Sequence, residues 1–201
     1  ELVQSSMNEA GICFLMAPRH HTAMRHVADT RIQLATRTIF NLLGPIANPA
    51  DVTRQLVGVF SQDWVEPVAK VLKSLGSKRA WVVHGSDGLD EITTTGKTKV
   101  ASLEDGAVTI FEIHPSEAGI KLAKPEQLVG GEPEENANAL LSIFNGERNA
   151  YRDIVVLNSA ACLIIAGKAK NLTEGASIAS NMIDNGKAME KLEALKEITN
   201  R

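Results

Sequence analysis

The 201-residue sequence has few cysteines, little excess charge and no long apolar run. Its two cysteines, Cys13 and Cys162, lie far apart in apolar segments, so we expect buried free thiols rather than a disulfide. A net charge of −3 argues against a general nucleic-acid-binding protein, which usually carries a basic face. No apolar run approaches the roughly 20 residues of a membrane-spanning helix. These absences disfavour nucleic-acid and membrane partners and predict a cytoplasmic protein.

The N-terminus lacks both an initiator methionine and the pattern of a secretory signal. We therefore expect that a segment has been removed upstream of Glu1 or that the sequence starts inside a longer protein. What remains has an ordinary composition, with 44% hydrophobic and 22% charged residues. This composition excludes a disordered chain and allows one domain with a sizeable core.

Apolar runs predict an α/β fold in which a mostly parallel sheet is flanked by helices. The predicted strands are Ile12–Met16, Gln55–Phe60 and Arg79–His84. Between the last two, Asp63 is typical of a helix N-cap, and apolar residues then recur at helical spacing as far as Gly76. Strand, helix and strand in this order predict a βαβ unit.

The second half of the chain changes character. Asp105-Gly106 separates two strand-like runs, Thr98–Leu103 and Val108–Ile113, and such a pair predicts a β-hairpin that extends the sheet. From Pro133 onward the pattern is mostly helical. Within it the apolar segment Tyr151–Ala169 predicts a long buried helix.

The segment HGSDGLDE, at positions 84–91, follows a predicted strand and ends in adjacent carboxylates. Ligands of parallel α/β sheets bind beyond the carboxyl ends of the strands. Asp90 and Glu91 are hard oxygen ligands suited to Mg²⁺, which usually takes one or two carboxylates together with substrate phosphates. Taken alone, the pattern favours a solvated acidic loop over a metal site. His84, taken alone, is more typical of a hydrogen-bonding histidine than of a catalyst.

Two further segments place arginines beside turns. APRHHTAMR, at positions 17–25, suits an anion site, and it also suits an ordinary loop and helix start. In RIQLATRTIFNLLGPIAN, at positions 31–48, we expect a helix over Thr38–Leu43 that the Gly44-Pro45 and Asn48-Pro49 pairs break. The bare pattern is that of a helix with exposed arginines and its terminator.

Together these segments resemble the anthranilate phosphoribosyltransferase family. The matching motifs are FLMAPRHHTAM (14–24), RTIFNLLGP (37–45) followed by Asn48-Pro49, HGSDGLDE (84–91) and NSAA (158–161). They occur in the family's order and cover essentially the whole chain. Pyrimidine nucleoside phosphorylases share the fold but are not expected to share this run of motifs so closely.

The resemblance implies transfer of phosphoribose from phosphoribosyl pyrophosphate to anthranilate, with release of pyrophosphate, in tryptophan biosynthesis. It implies that Asp90 and Glu91 bind Mg²⁺ and that Arg31 binds the anthranilate carboxylate. It also places Gly44 and Pro45 against the aromatic ring and His21 on the access path. It implies no general base, and it implies a homodimer for the complete protein.

The family's Gly-Thr-Gly-Gly-Asp and Lys-His-Gly-Asn segments are absent from these 201 residues, and both precede position 1 in the family pattern. We therefore expect residues 1–201 to be a truncated C-terminal α/β domain without activity of its own. Residues 20–45, with the apolar side chains of helix Thr38–Leu43, are expected to pack on a missing helical domain or another chain. Two alternatives remain: a non-catalytic nucleic-acid-binding homologue, and a pyrimidine nucleoside phosphorylase.

Overall fold

The computed structural model of the protein describes residues 1–20, 33, 36 and 38–201. These residues fall into two compact units. One consists of Glu1–Asp51 with Ala188–Arg201, and the other consists of Val52–Lys187. No helix within the described ranges has the length and apolar character needed to cross a bilayer.

Short helices come first along the chain, then a sheet, and then longer helices. The α-helices are α1 (Leu2–Ser5), α2 (Ala17–His20), α3 (Phe40–Ile46), α4 (Val65–Ser74), α5 (Pro133–Phe144), α6 (Ala150–Ile165), α7 (Leu172–Asp184) and α8 (Lys187–Thr199). The strands are β1 (Arg54–Gly58), β2 (Arg79–Gly85), β3 (Thr98–Glu104) and β4 (Ala107–Ile113). Ser6–Ala10 continues α1 as a π-helix, and 3₁₀ turns cover Gln62–Trp64, Pro115–Ala118 and Pro125–Gln127.

The sheet lies in the larger unit, with its strands in the order β1-β2-β3-β4. The α/β fold with helices flanking the sheet is confirmed. The described sheet is nevertheless mixed rather than mostly parallel, because β1 and β2 are parallel whereas β2–β3 and β3–β4 are antiparallel. The loop of residues 86–97 between β2 and β3 contains no helix that would carry the chain back to the start of the sheet. β3 therefore runs opposite to β2.

The core of the larger unit is centred on β2. Ala80, Trp81, Val82 and Val83 are all buried. Since successive residues of a strand point to opposite faces, both faces of β2 are covered. Helix α4 contacts β2 and β3, and helix α6 contacts β1 and β2. β2 therefore supplies a rigid base for the loop that follows it.

The start of α4 differs slightly from the prediction. The Ser61 side chain accepts a hydrogen bond from the backbone N–H of Asp63, so Ser61 caps the 3₁₀ turn that leads into the helix. Asp63 itself lies inside that turn and is not the N-cap. The predicted end is confirmed, since Gly76 follows the helix with a positive φ of 89°.

The predicted β-hairpin is confirmed. Glu104 pairs with Ala107, and the two residues between them, Asp105 and Gly106, have φ values of 49° and 76°. Two consecutive positive φ values are the requirement of a type I′ turn, which aspartate tolerates and glycine favours.

The predicted strand Ile12–Met16 is wrong, because these residues are irregular. Ile12, Phe14 and Met16 are 46%, 74% and 49% exposed. A short apolar run does not by itself specify a strand, which also needs a neighbour to receive its backbone hydrogen bonds. Among the described residues no strand pairs with this run.

The expected helix break at Gly44-Pro45 is also wrong, because α3 runs through both residues to Ile46. Gly44 has no Cβ, which removes part of the steric clash that disfavours helical backbone in the residue before a proline. Asn48 before Pro49 has that Cβ, and the chain is no longer helical there. Ile39 is exposed as expected, whereas Leu42 is buried.

The long apolar helix is confirmed as α6, which ends at Ile165, before the predicted limit. Asn185 and Gly186 separate the last two helices, α7 and α8. Cys13 and Cys162 are free thiols, as expected. Cys162 is exposed and Cys13 is only half-buried, so the expected burial of both thiols is wrong.

Candidate functional site

The loop of residues 86–97, called the β2–β3 loop below, carries the predicted carboxylate pair. It begins where β2 ends at Gly85, and β1 runs parallel to β2 with Gly58 opposite Val83. The loop therefore starts at the carboxyl ends of two parallel strands, which is the edge where ligands of α/β proteins bind. Asp90 and Glu91 stand in the middle of this loop, and both are exposed.

Asp87 holds the loop together from inside. Its Oδ2 accepts hydrogen bonds from the hydroxyls of Thr93 and Thr95, at 2.5 and 2.6 Å. Its Oδ1 accepts one from the backbone N–H of Leu89, at 3.2 Å. Burial alone would raise the pKa of Asp87, but these hydrogen bonds together lower it below its usual value. Asp87 is thus an ionised anchor of the loop.

Asn158 of α6 holds the loop from outside. Its Oδ1 accepts the backbone N–H of Ile92 at 3.0 Å, and its Nδ2 donates to the carbonyl of the same residue at 2.9 Å. Ile92 directly follows Glu91 and is fully buried. The position of the chain just after the carboxylate pair is therefore set by a helix 66 residues further along the sequence.

Gly58 lies against the backbone of Asp90. A Cβ placed on Gly58 would stand 1.5 Å from the carbonyl oxygen of Asp90, a distance that no side chain can occupy. Only glycine therefore allows the end of β1 and the β2–β3 loop to lie this close together.

The two carboxylates have no cationic partner in the described part of the chain, where none of the ion pairs involves Asp90 or Glu91. Partial burial and, secondarily, the neighbouring Asp90 carboxylate raise the pKa of Glu91 above its usual value. A bound cation would oppose both effects, because it stabilises the ionised carboxylates. Adjacent exposed carboxylates on an anchored loop suit a divalent cation whose remaining coordination positions are filled by water and by the phosphates of a substrate.

The protein supplies only part of a coordination shell here. Among the described residues no group of three or more histidine, cysteine, aspartate or glutamate side chains could hold a metal ion. Mg²⁺ usually relies on one or two carboxylates, with water and substrate phosphates as the remaining ligands, so a pair fits this ion. The same pair does not fit a structural zinc site, which needs four protein ligands.

His84 is a hydrogen-bonding histidine, as its sequence context suggested. Its Nδ1 lies 2.7 Å from the carbonyl oxygen of Val59. A carbonyl only accepts, so Nδ1 carries the proton, and in the neutral ring Nε2 is left as an acceptor. The bond ties the end of β2 to the residue that follows β1.

The predicted anthranilate residues are placed only in part. His21 and Arg31 lie outside the described residues. Gly44 and Pro45 lie in α3, within the smaller unit, whereas Asp90 and Glu91 belong to the larger one. Their roles in binding anthranilate stay predictions.

A cavity of about 380 Å³ lies elsewhere in the larger unit, between the 115–118 turn, α6 and α7. Neither Asp90 nor Glu91 lines it. Of its charged residues, Arg148 and Arg152 both pair with the single carboxylate of Asp184, at 3.3 and 2.8 Å. Nη1 of Arg152 is buried and has no hydrogen-bond partner within the described residues. The cavity is lined by no residue of β1, β2 or the β2–β3 loop, where ligands of α/β proteins bind, so the carboxylate loop is the stronger candidate site.

Sequence reasoning found the carboxylate pair but not the residues that hold it. From the sequence, Asn158 was recognised only as part of the NSAA motif, and neither Gly58 nor Asp87 was predicted to position the carboxylates. An asparagine inside an apolar helix is a usable signal, because a buried amide needs hydrogen-bond partners. The identity of those partners is not readable from the sequence.

Comparison with known proteins gives one family. Residues 1–189 match the family described as "Glycosyl transferase family, a/b domain". An anthranilate phosphoribosyltransferase from Azospirillum brasilense is 59% identical over 199 residues, which cover 99% of this chain and 56% of the relative. The chain therefore spans little more than half the length of that curated relative.

Solved structures give the same family. The chain superposes on anthranilate phosphoribosyltransferase from Thermus thermophilus with a TM-score of 0.92 and 39% identity, covering 100% of this chain and 60% of that one. The Saccharomyces cerevisiae enzyme in complex with PRPP and Mg gives a TM-score of 0.84 at 29% identity, covering 94% of this chain and 55% of that one. The same yeast enzyme has also been solved with 4-fluoroanthranilate.

Proposed function

Because this chain belongs to the glycosyl transferase family, whose α/β domain it matches, we propose that it is the α/β part of an anthranilate phosphoribosyltransferase. The complete enzyme would transfer phosphoribose from phosphoribosyl pyrophosphate to the amine of anthranilate and release pyrophosphate. This is a step of tryptophan biosynthesis. The high identity of the relatives over nearly the whole chain supports this assignment.

The observation that carries the proposal is the anchored pair Asp90 and Glu91 at the carboxyl end of β2. The reaction needs positive charge beside the departing pyrophosphate. Mg²⁺, when bound, neutralises negative charge that builds up on the leaving group. The role of this chain is to hold two carboxylates in a fixed position, so that little reorganisation is needed when metal and substrate bind. Gly58 packs against the backbone of Asp90, and Asp87 is hydrogen-bonded within the loop that carries the pair.

The metal assignment is tested by a double substitution, Asp90→Asn with Glu91→Gln, in a full-length enzyme that contains this chain. Both amides keep the shape of the side chains but remove their negative charge. We expect lower turnover and a weaker dependence on Mg²⁺, measured by titrating Mg²⁺ at saturating concentrations of both substrates. The matched control is Asp105→Asn with Glu126→Gln, which removes the same two charges at exposed positions elsewhere. A Mg²⁺ titration of the Asp90/Glu91 variant like that of the wild type refutes the assignment.

The anthranilate half of the proposal concerns Arg31, for which the family resemblance is the support. A guanidinium suits bidentate pairing with the anthranilate carboxylate. A charge-assisted hydrogen bond of this kind is worth roughly 1.5–3 kcal/mol. At about 1.4 kcal/mol per factor of ten, its loss amounts to one to two orders of magnitude.

Arg31→Ala in the full-length enzyme is therefore expected to raise the KM for anthranilate about tenfold to a hundredfold. The KM for phosphoribosyl pyrophosphate should change much less. Arg148→Ala, which removes an exposed arginine of the larger unit, serves as the control and should alter neither constant. An unchanged KM for anthranilate in Arg31→Ala would show that Arg31 does not bind this substrate.

A homodimeric assembly and a cytoplasmic location belong to the same proposal and rest on the family resemblance. The substrates are small anions, and neither a nucleic acid nor a membrane is part of the proposed activity. A mass measurement on the full-length protein in solution tests the dimer directly.

A further inference from the structure

The amide of Asn158 makes an unusual contact for a side chain in the middle of a helix. It binds both backbone groups of one residue, accepting from the N–H of Ile92 and donating to its C=O. This is the pair of bonds that a neighbouring strand would make in an antiparallel ladder. The same Nδ2 also donates to the carbonyl of Ile154, at 2.9 Å, one helical turn earlier. The amide is thereby fixed relative to α6 as well as to the loop.

The contact lies directly beside the carboxylate pair. Ile92 directly follows Glu91 in the chain. The orientation of its backbone, which is held against α6, therefore affects the direction in which Asp90 and Glu91 project from the loop. Ile92 is fully buried, and both of its backbone polar groups are hydrogen-bonded to the side chain of Asn158. Without the amide, a buried N–H and a buried C=O would have to seek new partners, which favours a shift of the loop.

On the side of the β2–β3 loop away from α6, close packing and hydrogen bonds hold the loop in place. Gly58 abuts the carbonyl of Asp90, and Asp87 binds the hydroxyls of Thr93 and Thr95. These contacts limit movement of the loop towards β1 and within itself. They do not hold the backbone of Ile92, for which Asn158 supplies the contact to α6. The carboxylates of Asp90 and Glu91 remain exposed between these supports.

We propose that Asn158 is a positioning residue for the Asp90–Glu91 pair and that it sets the metal affinity of the site through the backbone of Ile92. The inference rests on the proposed function for the identity of the bound metal. It predicts that removing the amide weakens metal binding even though Asn158 touches neither carboxylate. Groups that orient metal ligands without touching the metal typically alter metal affinity about tenfold to a hundredfold when they are removed.

The test uses Asn158→Leu and Asn158→Ala in a full-length enzyme that contains this chain. Leucine keeps the branched shape of the side chain and suits the helix, so it removes the hydrogen bonds without leaving a cavity. Alanine removes both the amide and the volume. Three quantities are measured: amide hydrogen exchange at Ile92, binding of Mn²⁺ in the presence of phosphoribosyl pyrophosphate, and the Mg²⁺ concentration that gives half-maximal turnover.

We expect faster exchange at Ile92 in both variants, by at least about tenfold, since its N–H loses its acceptor. Mn²⁺ affinity should fall, and the half-maximal Mg²⁺ concentration should rise, each by about tenfold or more. Turnover at saturating Mg²⁺ should change less than the Mg²⁺ requirement. Such a split distinguishes a positioning residue from one that merely stabilises the fold.

Asn149→Ala is the matched control. Asn149 is the N-cap of the same helix, where its side chain accepts a hydrogen bond from the N–H of Arg152 at 2.9 Å. Its loss weakens α6 without touching the β2–β3 loop, so metal affinity and Ile92 exchange should stay close to wild type.

Wild-type metal affinity in a folded Asn158→Leu variant overturns the positioning role and leaves the proposed function intact. If neither variant folds, Asn158 is purely structural, and the positioning role is overturned in that case as well. If the Asp90/Glu91 double variant keeps the normal Mg²⁺ dependence, the proposed metal site itself is wrong, whatever Asn158 does. Unchanged exchange at Ile92 would show that the amide contact does not hold this backbone.

Discussion

Asp87 is the residue on which the hydrogen bonds of the β2–β3 loop converge. Its carboxylate accepts from Thr93, Thr95 and Leu89, and these bonds lower the pKa of Asp87 despite partial burial. A carboxyl group whose folded-state pKa is lowered stabilises the fold when it is ionised. That contribution is complete above the unfolded-state pKa of about 4 and is lost as the pH falls further, through the folded-state pKa.

Asp87→Asn is therefore expected to lower the free energy of unfolding by about 1 kcal/mol at pH 7, because a neutral amide is a weaker acceptor for the threonine hydroxyls. The difference between wild type and variant should shrink as the pH falls from about 4 towards 3. Urea unfolding at several pH values measures both quantities. Thr95→Val, which removes one of the same bonds, should show a smaller loss with the same acid dependence. A difference that stays constant from pH 7 to pH 3 contradicts this account.

Helices α6 and α7 approach each other closely where Gly175 faces Ala160. A Cβ on Gly175 would lie 2.8 Å from both the Cα and the carbonyl oxygen of Ala160. These are backbone atoms of a helix, so they cannot move aside as the end of a flexible side chain could. The close contact matters for the site, because Asn158 stands on α6 two residues before Ala160.

Gly175→Ala is consequently expected to destabilise the protein. Alanine gains about 1 kcal/mol of helix propensity over glycine. Overpacking against a fixed backbone costs about 1–3 kcal/mol, so the net effect should be a loss of up to about 2 kcal/mol. Denaturant unfolding measures it. Ser177→Ala, at an exposed position of the same helix, is the control and should be neutral or slightly stabilising. A stabilised Gly175→Ala variant would mean that the two helices separate at little cost.

The smaller unit exposes several large apolar side chains. Its exposed large apolar residues include Leu2, Met7, Ile12, Phe14, Met16 and Ile39. Phe14 is 74% exposed and Ile39 is 59% exposed. Apolar side chains exposed in this number favour association with another surface.

We expect the isolated 201-residue chain to self-associate and to show no transferase activity, even in excess Mg²⁺. The inactivity follows from the absence of the family's Gly-Thr-Gly-Gly-Asp loop in these residues, since a row of backbone N–H groups is what holds a pyrophosphate. Loss of anthranilate fluorescence measures activity, and light scattering measures mass. Phe14→Ser with Ile39→Ser should reduce association. Measurable turnover would place the phosphate site within this chain, and a monodisperse monomer would contradict the apolar-surface argument.

Local patterns in the sequence were sufficient for much of the larger unit. The hairpin turn at Asp105-Gly106 follows from the backbone angles those two residues tolerate, and Arg79–His84 follows from a continuous apolar run between turn residues. The carboxylate pair was also visible, because Asp90 and Glu91 are adjacent in the chain and follow a strand. Such features depend on residues a few positions apart, so the sequence specifies them directly.

The tertiary structure decided what depends on residues far apart in the chain. The apolar run Ile12–Met16 forms no strand, because strand formation requires a partner that the run itself does not specify. The antiparallel direction of β3 follows from the connection after β2, residues 86–97, which contains no helix to carry the chain back. The placement of the carboxylates is set by Gly58 and Asn158, which lie on a strand and a helix distant in sequence. Folding brings them to the same loop because burying the apolar faces of β1, β2 and α6 leaves their polar and small residues in contact there.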